Sequence, residues 1–140
     1  MILLDTNILS ELMKSKPQTE VLSWFTRQEN HTLFTTTISI AEISYGLHVL
    51  PESHRRNVLE NAFKRAVQFA FRHRILPFDE TAAEQYGKIM ANRKVMGCPL
   101  GVPDGQIAAI AYSQKMHLAT RNLRDFQECG LELINPFDSP

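Results

Sequence analysis

The sequence predicts an α/β domain with a central, mostly parallel sheet flanked by helices. Three observations carry this prediction. Five short apolar segments read as strands, helical spacings separate them, and isolated carboxylates stand where a strand gives way to a helix.

Met1–Leu4 is a short buried strand, and Leu9 and Leu12 begin the helical spacing after it. Pro17 suits the first turn of a second helix that runs to about Arg27. His31–Thr37 (HTLFTTT) is rich in β-branched residues and reads as the second strand. Ser39 is the candidate cap of the helix carrying IAEISYGLHVL, which stops before Pro51. From His54 to Arg74, the stripe of Leu59, Phe63, Ala66 and Ala70 predicts one long amphipathic helix. Ile75–Phe78 is a short strand, and Asp79 caps a helix reaching about Met96. GCPLGVP (Gly97–Pro103) is the clearest loop, after which Asp104 opens the apolar helix GQIAAIAYSQK. His117–Thr120 and Leu131–Ile134 complete the strands. No repeat, low-complexity tract or linker divides the chain, so residues 1–140 read as one domain.

Composition narrows the function. Fifteen Lys and Arg residues balance fifteen Asp and Glu, so net charge alone points to no polyanionic partner. Cys98 and Cys129 have neither C-x-x-C spacing nor a neighbouring His pair. Reduced cytosolic thiols are expected, and structural zinc is not. A basic leader with a long apolar stretch is missing, and no run approaches ~18 apolar residues. These features predict a soluble, cytoplasmic protein without a membrane partner. No glycine-rich phosphate cradle follows the first strand, and no His-containing triad supports a Ser or Cys nucleophile.

The informative residues are three acids without local partners. Asp5 interrupts MILLDTNILSEL, and no other charged side chain follows until Glu11. Glu42 is the only charged residue between His31 and Pro51, counting Asp, Glu, Lys and Arg. Asp104 holds the same position between Val95 and Gln114. A buried isolated carboxylate takes up a proton unless something stabilises its charge, and several in one pocket repel one another. A hard divalent cation resolves both difficulties. Plainer readings stand beside this one: Asp5 and Asp104 as helix N-caps, and Glu42 pointing into solvent. A strand parallel and adjacent to the first would also deliver Thr120, Asn122 or Asp125 to the same sheet edge. Asp125 has Arg121 and Arg124 as candidate surface ion-pair partners.

LLDTNILSEL, SIAEISYGL, PDGQIAAIA and ATRNLRDF, in this order, resemble the four signature blocks of the PIN domain. The similarity is greatest to VapC- and FitB-type toxins, and it includes the NPF of Asn135–Phe137. The resemblance implies a Rossmann-like fold and a metal-dependent ribonuclease whose acids fall on Asp5, Glu42 and Asp104. At the fourth position some members carry T-R-D, whereas this chain reads T-R-N with Asp125 three residues later. Asn122 and Asp125 are therefore both candidates there.

On this reading Asp5 and Asp104 bind Mg²⁺ (or Mn²⁺) directly, with Glu42 acting through water, on a second ion, or as a base. Thr6 and Asn7 brace the first carboxylate, and Thr120 supports from the neighbouring strand. Partners implied by the resemblance are an RNA substrate such as tRNA or rRNA, a small antitoxin, a second copy in a homodimer, and DNA only through the antitoxin. Six Lys or Arg against one acid in His54–Arg74, together with Arg93, Lys94, Arg121 and Arg124, are candidate phosphate contacts. A DNA-directed nuclease and a non-catalytic module acting through its partner are the rival readings.

Overall fold

Strand β1 (Ile2–Leu4) has a neighbour on each side, and both run parallel to it. It pairs with β2 (Leu33–Thr36) and β4 (His117–Ala119), with β3 (Ile75–Leu76) and β5 (Leu133–Ile134) outside them. The order is β3-β2-β1-β4-β5 and every pairing is parallel. The chain thus fills one side of the sheet, then crosses over to fill the other. The reversal falls between β1 and β4, where the carboxyl ends of the strands leave a crevice. This is a computed structural model describing residues 1–138; Ser139 and Pro140, the last of the expected 1–140 domain, lie outside the described residues.

Seven α-helices cover the sheet: α1 (Thr6–Met13), α2 (Thr19–Thr26), α3 (Thr37–Val49), α4 (His54–Arg65), α5 (Glu80–Val95), α6 (Val102–Ser113) and α7 (Leu123–Phe126) among the described residues. Successive strand residues face opposite ways, so Leu3 and Leu4 enter different cores. Leu3 packs with Ile107, Ile110, Leu118 and Phe126 beneath α5 and α6. Leu4 packs with Ile8, Leu9, Trp24, Leu33 and Leu47 beneath the helices of the first half. Each such side chain contributes roughly 1.5–3 kcal/mol by leaving water. At Gly105 a Cβ would lie 2.5 Å from Met90 Sδ and 3.1 Å from the Tyr86 ring. The missing Cβ lets α6 close onto α5, one residue from Asp104.

Several boundaries differ from the sequence reading. Thr36, not Ser39, caps α3, its hydroxyl accepting from Ser39 N at 3.0 Å. Helix α6 starts at Val102, so Gly101 is its cap residue and Asp104 already lies in the first turn. Pro103 fits there because the first turn has no intrahelical acceptor for its missing N–H. Pro17 precedes α2 rather than entering it, since the helix begins at Thr19. The expected helix over His54–Arg74 ends at Arg65 and widens into a π-turn at Ala66–Ala70. That turn is closed by Phe71 N donating to Ala66 O at 2.8 Å. The extra residue per turn rotates the apolar stripe, so Phe71 is buried while Ala70 is exposed. The Asp79 cap of α5 forms as expected, accepting from Ala82 N at 2.9 Å. The strands are shorter than expected, His31 lies in a 3-10 turn, and α7 is an added element.

Candidate active site

Asp5 continues the β1–β4 ladder by one residue, its N donating to Ala119 O at 2.9 Å. This places its carboxylate at the carboxyl edge of the sheet, beside Thr120. Asp5 Oδ2 accepts from Thr120 Oγ1 at 2.8 Å, and Oδ1 accepts from Thr6 N at 2.7 Å. The side chain is 3 % exposed. Burial pushes its pKa from 3.8 to about 6; the charges of Asp104 and Glu42 add to the rise, and the two hydrogen bonds oppose it. Asp5 is thus the N-cap of α1 and, among the described residues, a carboxylate without an ion-pair partner.

Glu42 comes from the exposed side of α3, yet it is not free in solvent. Its Oε1 accepts from Thr6 Oγ1 at 2.7 Å, and the same hydroxyl lies 2.8 Å from Ser39 Oγ. Asp104 is half-buried in the first turn of α6, whose N-cap is Gly101, so it does not serve as the cap residue. Burial raises its pKa, and the charges of Glu42 and Asp125 raise it further. Asp5, Glu42 and Asp104 line one cleft of about 430 Å³, together with Thr6, Asn7 and Asn122. Asp125 lies outside that lining, although its charge is felt by Asp104. Among the described residues no ion pair joins Asp125 to Arg121 or Arg124.

The supporting residues divide their tasks. Thr120 Oγ1 also accepts from Asn122 N at 3.0 Å. Among the described residues no hydrogen bond joins Asn7 to the carboxylate; its Oδ1 accepts from Arg121 N at 3.4 Å. Ser39, read from the sequence as a cap, is fully buried between Thr6 and Thr36 and helps fix Glu42 through Thr6. Glu11, Lys14 and Arg121 also line the cleft, and the sequence reading missed the first two. Their signal was present: Glu11 falls at the buried spacing of α1 after Ile8, with Lys14 three residues on. Arg93 is no candidate for a phosphate contact, because it is 4 % exposed and engaged with Cys98 O and Gln127 O.

A second, more apolar groove of about 640 Å³ lies between α1, α3 and α4, walled by Met13, Ile43, Leu47, Val58 and Leu59. It shares Thr6, Ser10, Lys14 and Glu42 with the acidic cleft, so the two spaces meet along α1. Among the described residues no three His, Cys, Asp or Glu side chains gather tightly enough to enclose an ion alone. Two carboxylates with water and substrate oxygens are nevertheless what Mg²⁺ commonly takes. The all-oxygen donor set and the strained ionisation of Asp5 and Asp104 fit such an ion.

A parallel sheet with carboxylates converging on its switch point defines a Rossmann-like α/β domain with an acidic site. The chain belongs to the PIN domain family, whose model matches residues 2–130. It is 40% identical over 138 residues to the VapC ribonuclease Y4jK of Sinorhizobium fredii, covering 99% of both chains. It is 33% identical over 137 residues to the toxin FitB of Neisseria gonorrhoeae, covering 98% of this chain and 99% of that one. A solved structure of FitAB bound to an IR36 DNA fragment matches with a TM-score of 0.91 at 33% identity, covering 100% of this chain and 98% of the other.

Proposed function

We propose that this chain is a Mg²⁺-dependent endoribonuclease, the toxin of a toxin–antitoxin pair, folded as one domain over residues 1–140 and acting in the cytoplasm. The observation that carries the reading is the convergence of Asp5 and Asp104, distant in sequence, on one cleft where each resists ionisation. The relatives named ribonuclease and toxin support it.

Asp5 and Asp104 are the direct ligands in this proposal. The cation, when bound, would supply positive charge at the scissile phosphate and a nucleophilic water at neutral pH. Glu42, aimed by Thr6, acts at the edge of the site, through water or by accepting the proton of the attacking water. Thr120 keeps Asp5 oriented, and Asn122 presents an amide to the same cleft. Asp125 adds negative potential at Asp104. The substrate class is RNA, with tRNA or rRNA as the expected target.

The relatives include solved FitAB complexes, and we extend that kind of partner to this chain. An antitoxin segment seated in the apolar groove would reach Glu42 and Lys14, which also line the acidic cleft. DNA is then contacted through the antitoxin, and the toxin itself pairs as a homodimer.

Sequencing RNA ends after brief induction tests the activity. Ends that accumulate at one site with wild type and vanish with Asp104→Asn are expected, and they would name the substrate. Equal trace cleavage by wild type and Asp5→Asn would identify a contaminant and defeat the enzyme reading. Mn²⁺ calorimetry tests the ligands: an unchanged heat of binding in Asp5→Asn removes Asp5 from the metal.

A further inference from the structure

We propose that Lys14 and Arg121 form a phosphate-binding rim beside the carboxylate cleft, positioned by the buried carboxylate of Glu11. On the nuclease reading above, from which it follows, this rim receives an RNA backbone phosphate next to the one that is cleaved.

Glu11 is 4 % exposed, an unusual place for a carboxylate. One oxygen accepts from Lys14 Nζ at 2.9 Å and the other from Gln18 N at 3.1 Å. Burial alone would raise its pKa, but the Lys14 and Gln18 hydrogen bonds and the charges of Lys14 and Arg121 hold it low. Glu11 is thus ionised, engaged at both oxygens, and serves to fix cations rather than to take an ion itself.

Arg121 is held from several sides but leaves its donors open. Its backbone N is bonded to Asn7, and its guanidinium lies 4.4 Å over the Phe137 ring. Phe137 N is in turn fixed by Asn135 Oδ1 at 3.0 Å. Stacking on a ring face fixes the guanidinium plane while its N–H edge stays free for a planar acceptor such as phosphate. Among the described residues that edge makes no hydrogen bond.

Placement gives the rim its meaning. Arg121 directly follows Thr120, the residue bonded to Asp5. Lys14 stands roughly 12 Å along α1 from Thr6, at about 1.5 Å per residue. Both cations line the cleft that holds the carboxylates, and the charges of both act on Glu11. A polyanion entering an acidic cleft on a chain of zero net charge needs such local compensation.

The test is binding of a short fluorescein-labelled single-stranded RNA of mixed sequence to the full chain carrying Asp104→Asn, titrated with salt. Arg121→Gln and Lys14→Gln, each added to this parent, are expected to weaken binding roughly three- to tenfold at low salt. Each should flatten the slope of log K against log salt by about 0.7, one phosphate contact on a single strand. Lys88→Gln, on the exposed side of α5, is expected to change neither. Glu11→Gln distinguishes positioning from bare charge: losing a negative charge should tighten RNA binding, whereas loss of the rim's anchor weakens it. Variants that bind like the parent, a parent without salt-dependent binding, or tighter binding by Glu11→Gln overturn the proposal. RNA cleavage persisting in Asp104→Asn would instead strike at the metal site, so the two failures are separable.

Discussion

Thr120 Oγ1 donates to Asp5 Oδ2 at 2.8 Å and accepts from Asn122 N at 3.0 Å. One fully buried hydroxyl therefore ties the end of β1 to the segment entering α7. It is also the protein group that most opposes protonation of Asp5.

Thr120→Val keeps the shape and removes this hydroxyl. Asp5 Oδ2 loses its donor and Asn122 N its acceptor, at a stability cost of about 1–3 kcal/mol. Without that hydrogen bond the Asp5 pKa moves further above about 6. Mn²⁺ affinity is expected to drop, more near pH 6 than near pH 8, because the proton competes with the ion only at the lower pH. Calorimetry at both pH values checks this. An equal loss at each would mean that Thr120 acts on geometry alone.

In metal-free protein the Asp5 carboxylate opposes folding. Its pKa is raised in the folded state from 3.8 to about 6, so the folded chain holds the proton more tightly than the unfolded chain. The favourable contribution is complete below about pH 4 and is lost as pH rises through about 6. That rise corresponds to roughly 3 kcal/mol. Asp5→Asn in EDTA is therefore expected to melt roughly 10 °C above wild type near neutral pH. The two curves should converge near pH 4. Melting temperatures across that range, taken as the difference between the proteins, isolate Asp5 from the other carboxylates.

The fold was legible because strand and helix patterns here are local. Short apolar runs at residues 1–4 and 117–120 already implied parallel neighbours, and the sheet pairs Leu4 with Ala119. The three acids stood out because apolar sequence surrounds them. Glu11 did not, since a Lys three residues away makes it look like a surface ion pair, although the helix turns it inward. Ser39 was read as the helix cap, and only the strand's end at Thr36 shows that Thr36 takes that place while Ser39 turns toward Thr6. The π-turn after Arg65 was unreadable for another reason. The stripe continues through Ala70 in sequence, and only core packing selects Phe71 instead.

Thr6 determines where Glu42 points. Its hydroxyl lies 2.7 Å from Glu42 Oε1 and 2.8 Å from Ser39 Oγ, holding an otherwise exposed side chain against the cleft. Thr6→Val is expected to lower single-turnover RNA cleavage about tenfold, while Mn²⁺ affinity changes less than about twofold. If both fall together, Glu42 is a direct ligand and the division of labour among the acids changes.

Arg93 supports the site from inside the core. It is 4 % exposed, with Nε donating to Cys98 O at 2.7 Å and another nitrogen bonded to Gln127 O and, at 3.6 Å, to Cys129 Sγ. One guanidinium thus joins the loop before α6, which carries Asp104, to the segment after α7. Arg93→Met strands both carbonyl oxygens and is expected to cost about 2–4 kcal/mol in urea unfolding. Arg93→Lys should recover little, because a single ammonium cannot span two acceptors in the fixed fork of a guanidinium. The damage should also be local. In Arg93→Lys, amides of residues 97–104 are expected to exchange faster with solvent while those of α1 do not. Uniform acceleration would reduce Arg93 to a general stabiliser. Selective acceleration would identify it as the residue that orders the loop leading to Asp104.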